Sequence, residues 1–226
     1  MKFQEELTAY IRAGYPLLYV SALEPERAIT SIEKACDSIN GGLSCHIWKV
    51  TTGWDGTNLG DDPDDIFDYI NQKQPQNSVS ILCNYHAYLG ENPNPVLIQR
   101  FMDSYFRWKT QDNHRTVIIL SPMYKLAPEL ERFFQTLTYT LPDVDQIEAI
   151  VDGISDGYKD VFTWSSDKHR GRVIANAAGM TEDEVESALA LSVVKTKMST
   201  GEPSIDPDVV MEEKAKILAK SGFLEY

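Results

Sequence analysis

Residues 115–142, RTVIILSPMYKLAPELERFFQTLTYTLP, decide the fold. Thr116 to Leu120 is an apolar run of strand length that stops at the turn pair Ser121-Pro122. Such a run, bounded by turn residues, predicts a strand covered on both faces, as in a parallel sheet with helical crossovers. Pro128 opens a predicted short amphipathic helix, the crossover to a second strand that closes on Leu141-Pro142.

Working outward, the preceding sequence supplies more units of the same sheet. Phe3, Leu7 and Ile11 recur every four residues and predict a helix laid on the sheet before Gly14. Pro16 to Ser21 is the first strand. Glu24-Pro25 then starts a helix with the apolar stripe Ala28, Ile29, Ile32, Ala35, Cys36 and Ile39, stopped by Asn40-Gly41-Gly42. Cys45 to Thr51 is the second strand, and Thr52 to Asp62 is a polar loop carrying Trp54. A short helix from Pro63 to about Gln72 has an acidic first turn, and Ser78 to Asn84 is the third strand. Gly90 to Pro95 lead into a helix from about Val96 to Lys109, whose Phe101, Tyr105, Phe106 and Trp108 must partly be core. Strands alternating with such helices imply right-handed crossovers and a three-layer α/β fold with five parallel strands.

After Pro142 the strand signals cease. Helices are expected at Val144 to Gly157 and at Lys168 to Ala178. A third begins at Thr181, which with Glu184 forms a capping box, and a last one runs from Asp206-Pro207 to Ser221 with Glu212 and Lys216 as an i,i+4 pair and Gly222 just past its end. The reading is therefore an α/β core over residues 1–142 and a small helical lid over residues 143–226.

The 226 residues are 42% apolar, enough for a real core, and carry a net charge of −13. Residues 1–142 hold 17 acidic and 12 basic side chains (net −5), and residues 143–226 hold 17 and 9 (net −8). That balance argues against a nucleic-acid partner, whose affinity comes from Lys and Arg displacing counterions. No apolar stretch approaches the roughly 18 residues of a membrane span, and no secretory leader pattern opens the chain, so no membrane partner and a cytoplasmic location are expected. Cys36, Cys45 and Cys83 sit at no ligand spacing and in an odd number, as reduced buried thiols do.

A parallel sheet followed by helices is the arrangement of a nucleotide-binding core with its lid. The phosphate loop would follow the first strand as G-x-x-x-x-G-K-[ST], glycines freeing backbone amides to wrap phosphates and lysine reaching the outer ones. Here that place holds Ser21-Ala22-Leu23-Glu24-Pro25-Glu26-Arg27-Ala28, without glycine or lysine and with two carboxylates. The magnesium-holding acid expected at the end of the third strand is Asn84, an amide. Ser121 lies where a sensor of the outer phosphate would sit, or simply completes the turn before Pro122. Arg132, on the short helix before the last strand, is placed either as a finger for a neighbour's phosphate or as a solvent-facing side chain.

Other signals are weaker. Gly153-Ile154-Ser155-Asp156-Gly157 matches the G-x-S-x-G elbow but ends a helical pattern, where an elbow needs a strand before its serine. Cys83 and His86 form a single spaced pair, and His46, His114 and His169 are scattered, so no metal site is expected. Asp61-Asp62 and Asp64-Asp65 read as solvated charge at a helix start.

Several pieces together resemble the first, degenerate AAA module of a tandem-AAA ATPase family known from cyanobacteria, red-algal chloroplasts and other bacteria. They are Ile11 to Val20 (IRAGYPLLYV), Glu24 to Ala28, Trp48 to Gly53, Leu120-Ser121-Pro122 with Leu126 to Glu131, and the ending Lys214 to Tyr226 with Lys220-Ser221-Gly222-Phe223-Leu224-Glu225. The resemblance implies a P-loop NTPase-type core, ATP and Mg held by a second module, and protein partners or other AAA subunits, a homo-oligomer included. It also admits a chloroplast stroma location. Members usually carry aspartate where Asn84 stands, which moves this copy further from metal binding. The resemblance places the chain's end where the linker to the catalytic module would begin, so an excised amino-terminal half and a stand-alone homologue are both expected possibilities. The expected function is that of a non-catalytic AAA-like domain serving assembly or partner binding; the alternatives are an ATPase using an unorthodox pocket between sheet and lid with Arg27 supplying phosphate charge, or a ring subunit donating Arg132.

Overall fold

Side chains of the two central strands alternate strictly between two cores. On β1 (Leu17–Ser21), Leu17 and Tyr19 enter one hydrophobic cluster while Leu18 and Val20 enter another; on β5 (Arg115–Ser121), Val117 and Ile119 oppose Ile118 and Leu120 in the same way. This period-two division, with both faces buried, is what the unbroken apolar runs encode. The computed structural model describes residues 3–39, 41–60, 62–90, 93–110, 115–157 and 164–220.

One face of the sheet carries α1 (Phe3–Arg12) and α2 (Pro25–Ser38), through Leu7, Ile11, Ala28, Ile32 and Cys36. The other carries α3 (Ile66–Lys73) and α4 (Pro95–Trp108), through Ile66, Ile70, Leu97, Phe101 and Trp108. The remaining strands are β2 (Ser44–Lys49), β3 (Gly53–Trp54), β4 (Ser78–Cys83) and β6 (Gln135–Thr138), in the order β3-β2-β4-β5-β1-β6. Leu17 pairs with Val117 and Leu18 with Gln135, so β1 lies between β5 and β6. The expected three-layer α/β fold and its five parallel strands are present.

Four local expectations are corrected. The polar loop after β2 is not wholly irregular, because Gly53 and Trp54 pair antiparallel with Lys49 and Trp48 as a sixth strand. Gly53 takes a positive φ of 64°, its amide neighbour Trp54 donates to the Leu59 carbonyl at 3.0 Å, and a Cβ there would clash with that carbonyl. The helix expected to open at Pro128 is one 3-10 turn, Pro128–Leu130, because the segment is too short for a crossover helix. β6 ends at Thr138, before Leu141-Pro142, and α3 starts at Ile66 rather than Pro63 after a turn in which the Asp64 amide donates to the Asp62 carboxylate. In α4, Phe101 and Trp108 are buried while Phe106 is 64% exposed, so the aromatic run divides between core and surface.

The chain divides into two units, Met1–Thr140 and Leu141–Tyr226. The second contains α5 (Val144–Gly157), α6 (Asp167–Ala177), α7 (Glu182–Thr200) and α8 (Pro207–Lys220), packed around Ile147, Val151, Val173, Leu189 and Val210. The Thr181 capping box forms in both directions, with the Glu184 amide donating to the Thr181 hydroxyl and the Thr181 amide to the Glu184 carboxylate. Lys216 pairs with Glu213 at 2.6 Å instead of with Glu212, which lies 3.7 Å from Lys195 on the neighbouring helix. The positions assigned to Ser221 and Gly222 lie outside the described residues, as do His114 and Asp61.

Replacing Gly53 by Ala forces a Cβ into the Leu59 carbonyl at positive φ, and a loss of more than about 1 kcal/mol is expected. Urea unfolding measures it; an unchanged midpoint would show that this turn does not constrain β3.

Candidate functional site

The carboxyl ends of the parallel strands form the place where open α/β sheets hold ligands. Backbone bonds knit that edge together. The Ala22 amide donates to the Ser121 carbonyl, the Asn84 amide to the Leu120 carbonyl and the Tyr139 amide to the Ser21 carbonyl, each at 2.8 Å. Sequence-predicted positions from β1, β4 and β5 are thereby brought to one rim of the sheet.

At the end of β1, Ala22 is buried and Glu24 caps α2 without a side-chain capping bond. Its carboxylate instead takes Arg27 Nη1 at 2.5 Å, and the Arg27 guanidinium lies 5.5 Å from the centre of the Tyr139 ring. The pair is largely covered, with side-chain exposures of 9% for Glu24 and 19% for Arg27. Glu26, one residue away from Arg27, points outward and pairs with Lys49 at the end of β2, 2.8 Å apart. That bond raises the Lys49 pKa, although both groups are well exposed and solvent weakens the attraction. Each carboxylate in the stretch where phosphates would lie is thus joined to a cation.

Asn84 occupies the left-handed region (φ 56°, ψ 22°), a conformation asparagine tolerates better than most residues, and its exposed side chain caps nothing. The turn it starts, Tyr85–Tyr88, carries His86 to β5, where Nδ1 lies 2.8 Å from the Ser121 hydroxyl. Ser121 is 1% exposed; its hydroxyl donates to the Met123 carbonyl at 2.8 Å and accepts from the Met123 amide at 3.3 Å. Tyr19 adds its hydroxyl to the same carbonyl at 2.6 Å and accepts from the Lys125 amide at 3.1 Å. With its proton on Met123, Ser121 accepts from a His86 Nδ1–H. Burial first, and then Lys125, lower the His86 pKa from its ordinary 6.5 and favour the neutral ring. No carboxylate bond to His86 is found among the described residues, so the pair lacks the orienting acid of a hydrolytic triad.

The structure separates the remaining candidates. Cys83 does not join His86; it lies within the electrostatic reach of Lys49 and Glu26, and burial pushes its thiol up to about 11. Among the described residues no cluster of three or more His, Cys, Asp or Glu is suited to a metal. Gly153 to Gly157 lie inside α5, with the Ser155 hydroxyl bonded to the Asp152 carbonyl, so no strand precedes the serine. Arg132 is exposed in the turn after the 3-10 segment, not on a helix as expected. Sequence reasoning missed Tyr19, Lys49 and Tyr139, and considered His86 only beside Cys83. Tyr139 and Lys49 carried a positional signal, since both stand at or just past strand ends beside α2.

Residues 3–139 match the family described as "SpoVK-like AAA ATPase, N-terminal domain", and residues 145–221 match "SpoVK-like AAA ATPase, second domain". The chain is 21% identical over 233 residues to the "Uncharacterized AAA domain-containing protein ycf46" of Trieres chinensis, covering 100% of this chain and 44% of that protein. The chain therefore spans less than half the length of that relative. Similar solved folds include a chain of the E. coli MS115-1 HORMA:CdnC:Trip13 complex (TM-score 0.59, 13% identity, 89% of this chain and 73% of that one). The FIGL-1 AAA domain in complex with ADP has TM-score 0.56 at 15% identity (98% and 81%), and Thermotoga maritima RuvB R170A has 0.54 at 13% (95% and 68%). Among the described residues no helix is long and apolar enough to cross a membrane.

The depressed His86 pKa fixes a sign. A base whose folded pKa lies below its unfolded value contributes stability that is complete above the unfolded value near 6.5 and is lost as pH falls from there through the folded value. Urea midpoints of the wild type are expected to fall more than those of His86→Gln as pH drops below that value; parallel curves would show that His86 does not titrate against this site.

Proposed function

Because the chain belongs to the SpoVK-like AAA ATPase family, we propose that it is an AAA module serving assembly or protein-partner binding, without nucleotide turnover of its own. The observation that carries this reading is the covered Glu24–Arg27 pair at the start of α2. A phosphate loop offers amides, glycines and a lysine to an anion. Here an anionic side chain already stands at the helix entrance, and the Arg27 guanidinium is committed to it and to Tyr139. A nucleotide phosphate would have to break a charge-assisted bond and then lie beside the released carboxylate. Asn84 in place of an acid, exposed in its left-handed turn, supports the same reading for magnesium.

On this reading the chain takes no cofactor, and ATP and Mg would belong to a second AAA module in the longer protein that such families contain. Its partner is a protein: another AAA subunit, a second copy of this chain, or an acceptor of the kind implied by the HORMA:CdnC:Trip13 complex, in which a neighbour of this fold sits with other proteins. Nucleic acid and membrane are not proposed as partners. The proposed compartment is the cytoplasm, or the chloroplast stroma for a plastid-encoded copy.

The exposure of Arg132 favours one second reading, a subunit that supplies this side chain to a neighbour's phosphate. Mixed with a competent AAA partner, the wild type would raise turnover and Arg132→Ala would not; equal turnover with both dismisses that role.

Isothermal titration of ATP with magnesium tests the main proposal. No saturable heat in the micromolar range is expected. Saturable micromolar binding overturns it, and phosphate release abolished by Arg27→Ala would replace it with an ATPase of unorthodox pocket.

A further inference from the structure

At the opposite end of α2 and β2 from the Glu26–Lys49 pair lie two cysteines with no part in the site above. Cys36 stands in the last turn of α2, where the backbone reverses: its carbonyl accepts from the Ile39 amide at 3.2 Å and from the Leu43 amide at 3.3 Å. Two residues after Leu43, Cys45 enters β2 on the sheet face that packs α2, in the same apolar cluster as Cys36, with His46 pointing away from it. Both sulfurs are free thiols; Cys36 is 1% exposed and Cys45 is half-buried. Their side chains pack in that one cluster, near enough for each thiol to bear on the other's proton. The neighbouring Cys45 thiol brings the Cys36 pKa below the usual thiol range, against opposing burial, Asp37 and Glu33. Cys36 in turn, with burial, holds the Cys45 proton well above that range.

We propose that Cys36 and Cys45 form a peroxide-responsive dithiol, a reversible modification site that closes to a disulfide joining the end of α2 to the start of β2. The Cys36 thiolate attacks one oxygen of hydrogen peroxide; the O–O bond breaks, hydroxide leaves and takes a proton from solvent, and Cys36 becomes a sulfenic acid. Cys45 then attacks the Cys36 sulfur, the S–O bond breaks, and the departing hydroxyl takes the Cys45 proton to leave as water. Two thiols are oxidised and one peroxide is reduced to two waters. A small oxidant suits this site because Cys36 is covered, and the order of steps follows from thiolate character. Cys83, at the carboxyl end of the neighbouring strand β4 with its thiol pushed up to about 11, serves as the internal control.

The test uses the full chain, treated with a small excess of hydrogen peroxide, quenched with catalase and alkylated with N-ethylmaleimide. Trypsin leaves both sulfurs in the single peptide 35–49. The expected result is that peptide two hydrogens lighter and unalkylated, Cys83 alkylated, and full alkylation of all three after dithiothreitol. Cleavage before Asp37 is expected to leave the two fragments joined. Cys45→Ser is expected to trap Cys36 as a dimedone-reactive sulfenic acid; should that variant not fold, the wild-type peptide decides alone. Unchanged alkylation of Cys36 and Cys45, sulfinic or sulfonic acid on Cys36 beside an alkylated Cys45, or a bridge to Cys83 overturns the proposal.

Discussion

The fold rests on the parallel pairing of β1 with β5, each strand buried on both faces. A strand so placed has no polar side to turn outward, so each of its residues must be apolar or hydrogen-bonded within the layer. Leu17 to Val20 and Val117 to Leu120 satisfy the first condition, while Thr116 satisfies the second by donating its hydroxyl to the Tyr15 carbonyl. Arg115 enters the buried layer as well, with Nη2 donating to the Gln74 carbonyl at 3.1 Å. Helices must then cover both faces, which fixes the three layers and leaves the strands' carboxyl ends as the rim where loops meet.

At that rim the main chain and the side chains play separate parts. Its geometry comes from main-chain bonds, Ala22 to Ser121 and Asn84 to Leu120, which do not depend on what the loop side chains are. The side chains then divide into two groups. Ser121, His86 and Tyr19 are bonded to one another or to Met123 and make a closed polar knot. Glu24, Arg27, Glu26 and Lys49 are paired charges. Both groups spend their donors and acceptors inside the protein, and a polar group already satisfied within the fold has little left to offer an incoming ligand.

Much of this architecture was legible in the sequence because burial leaves periodic marks. The α2 stripe, the proline at its first turn and the Thr181–Glu184 box each named an element or its end correctly. What could not be read depended on contacts between residues distant in the chain. Trp54 became a strand residue because Trp48 lies opposite it, and Pro128 opened a single turn because the path from β5 across β1 to β6 is short. At the site, Glu24, Arg27, Asn84 and Ser121 were recognised by position, but their partners were not. His86 meets Ser121 across 35 residues and Arg27 meets Tyr139 across more than 100, distances over which local patterning carries no information. Lys216 illustrates the same limit inside one helix, where a neighbouring lysine redistributes the acidic partners.

The strand order has a consequence for association. The sheet ends on one side in β3, two residues long, and on the other in β6, four residues long with exposed Thr136 and Thr138. Short, polar terminal strands give an approaching chain few consecutive amide and carbonyl groups to extend. Any recognition of this unit is therefore pushed away from main-chain strand addition and onto side chains, which mutation can change without disturbing the ladder that holds the sheet together.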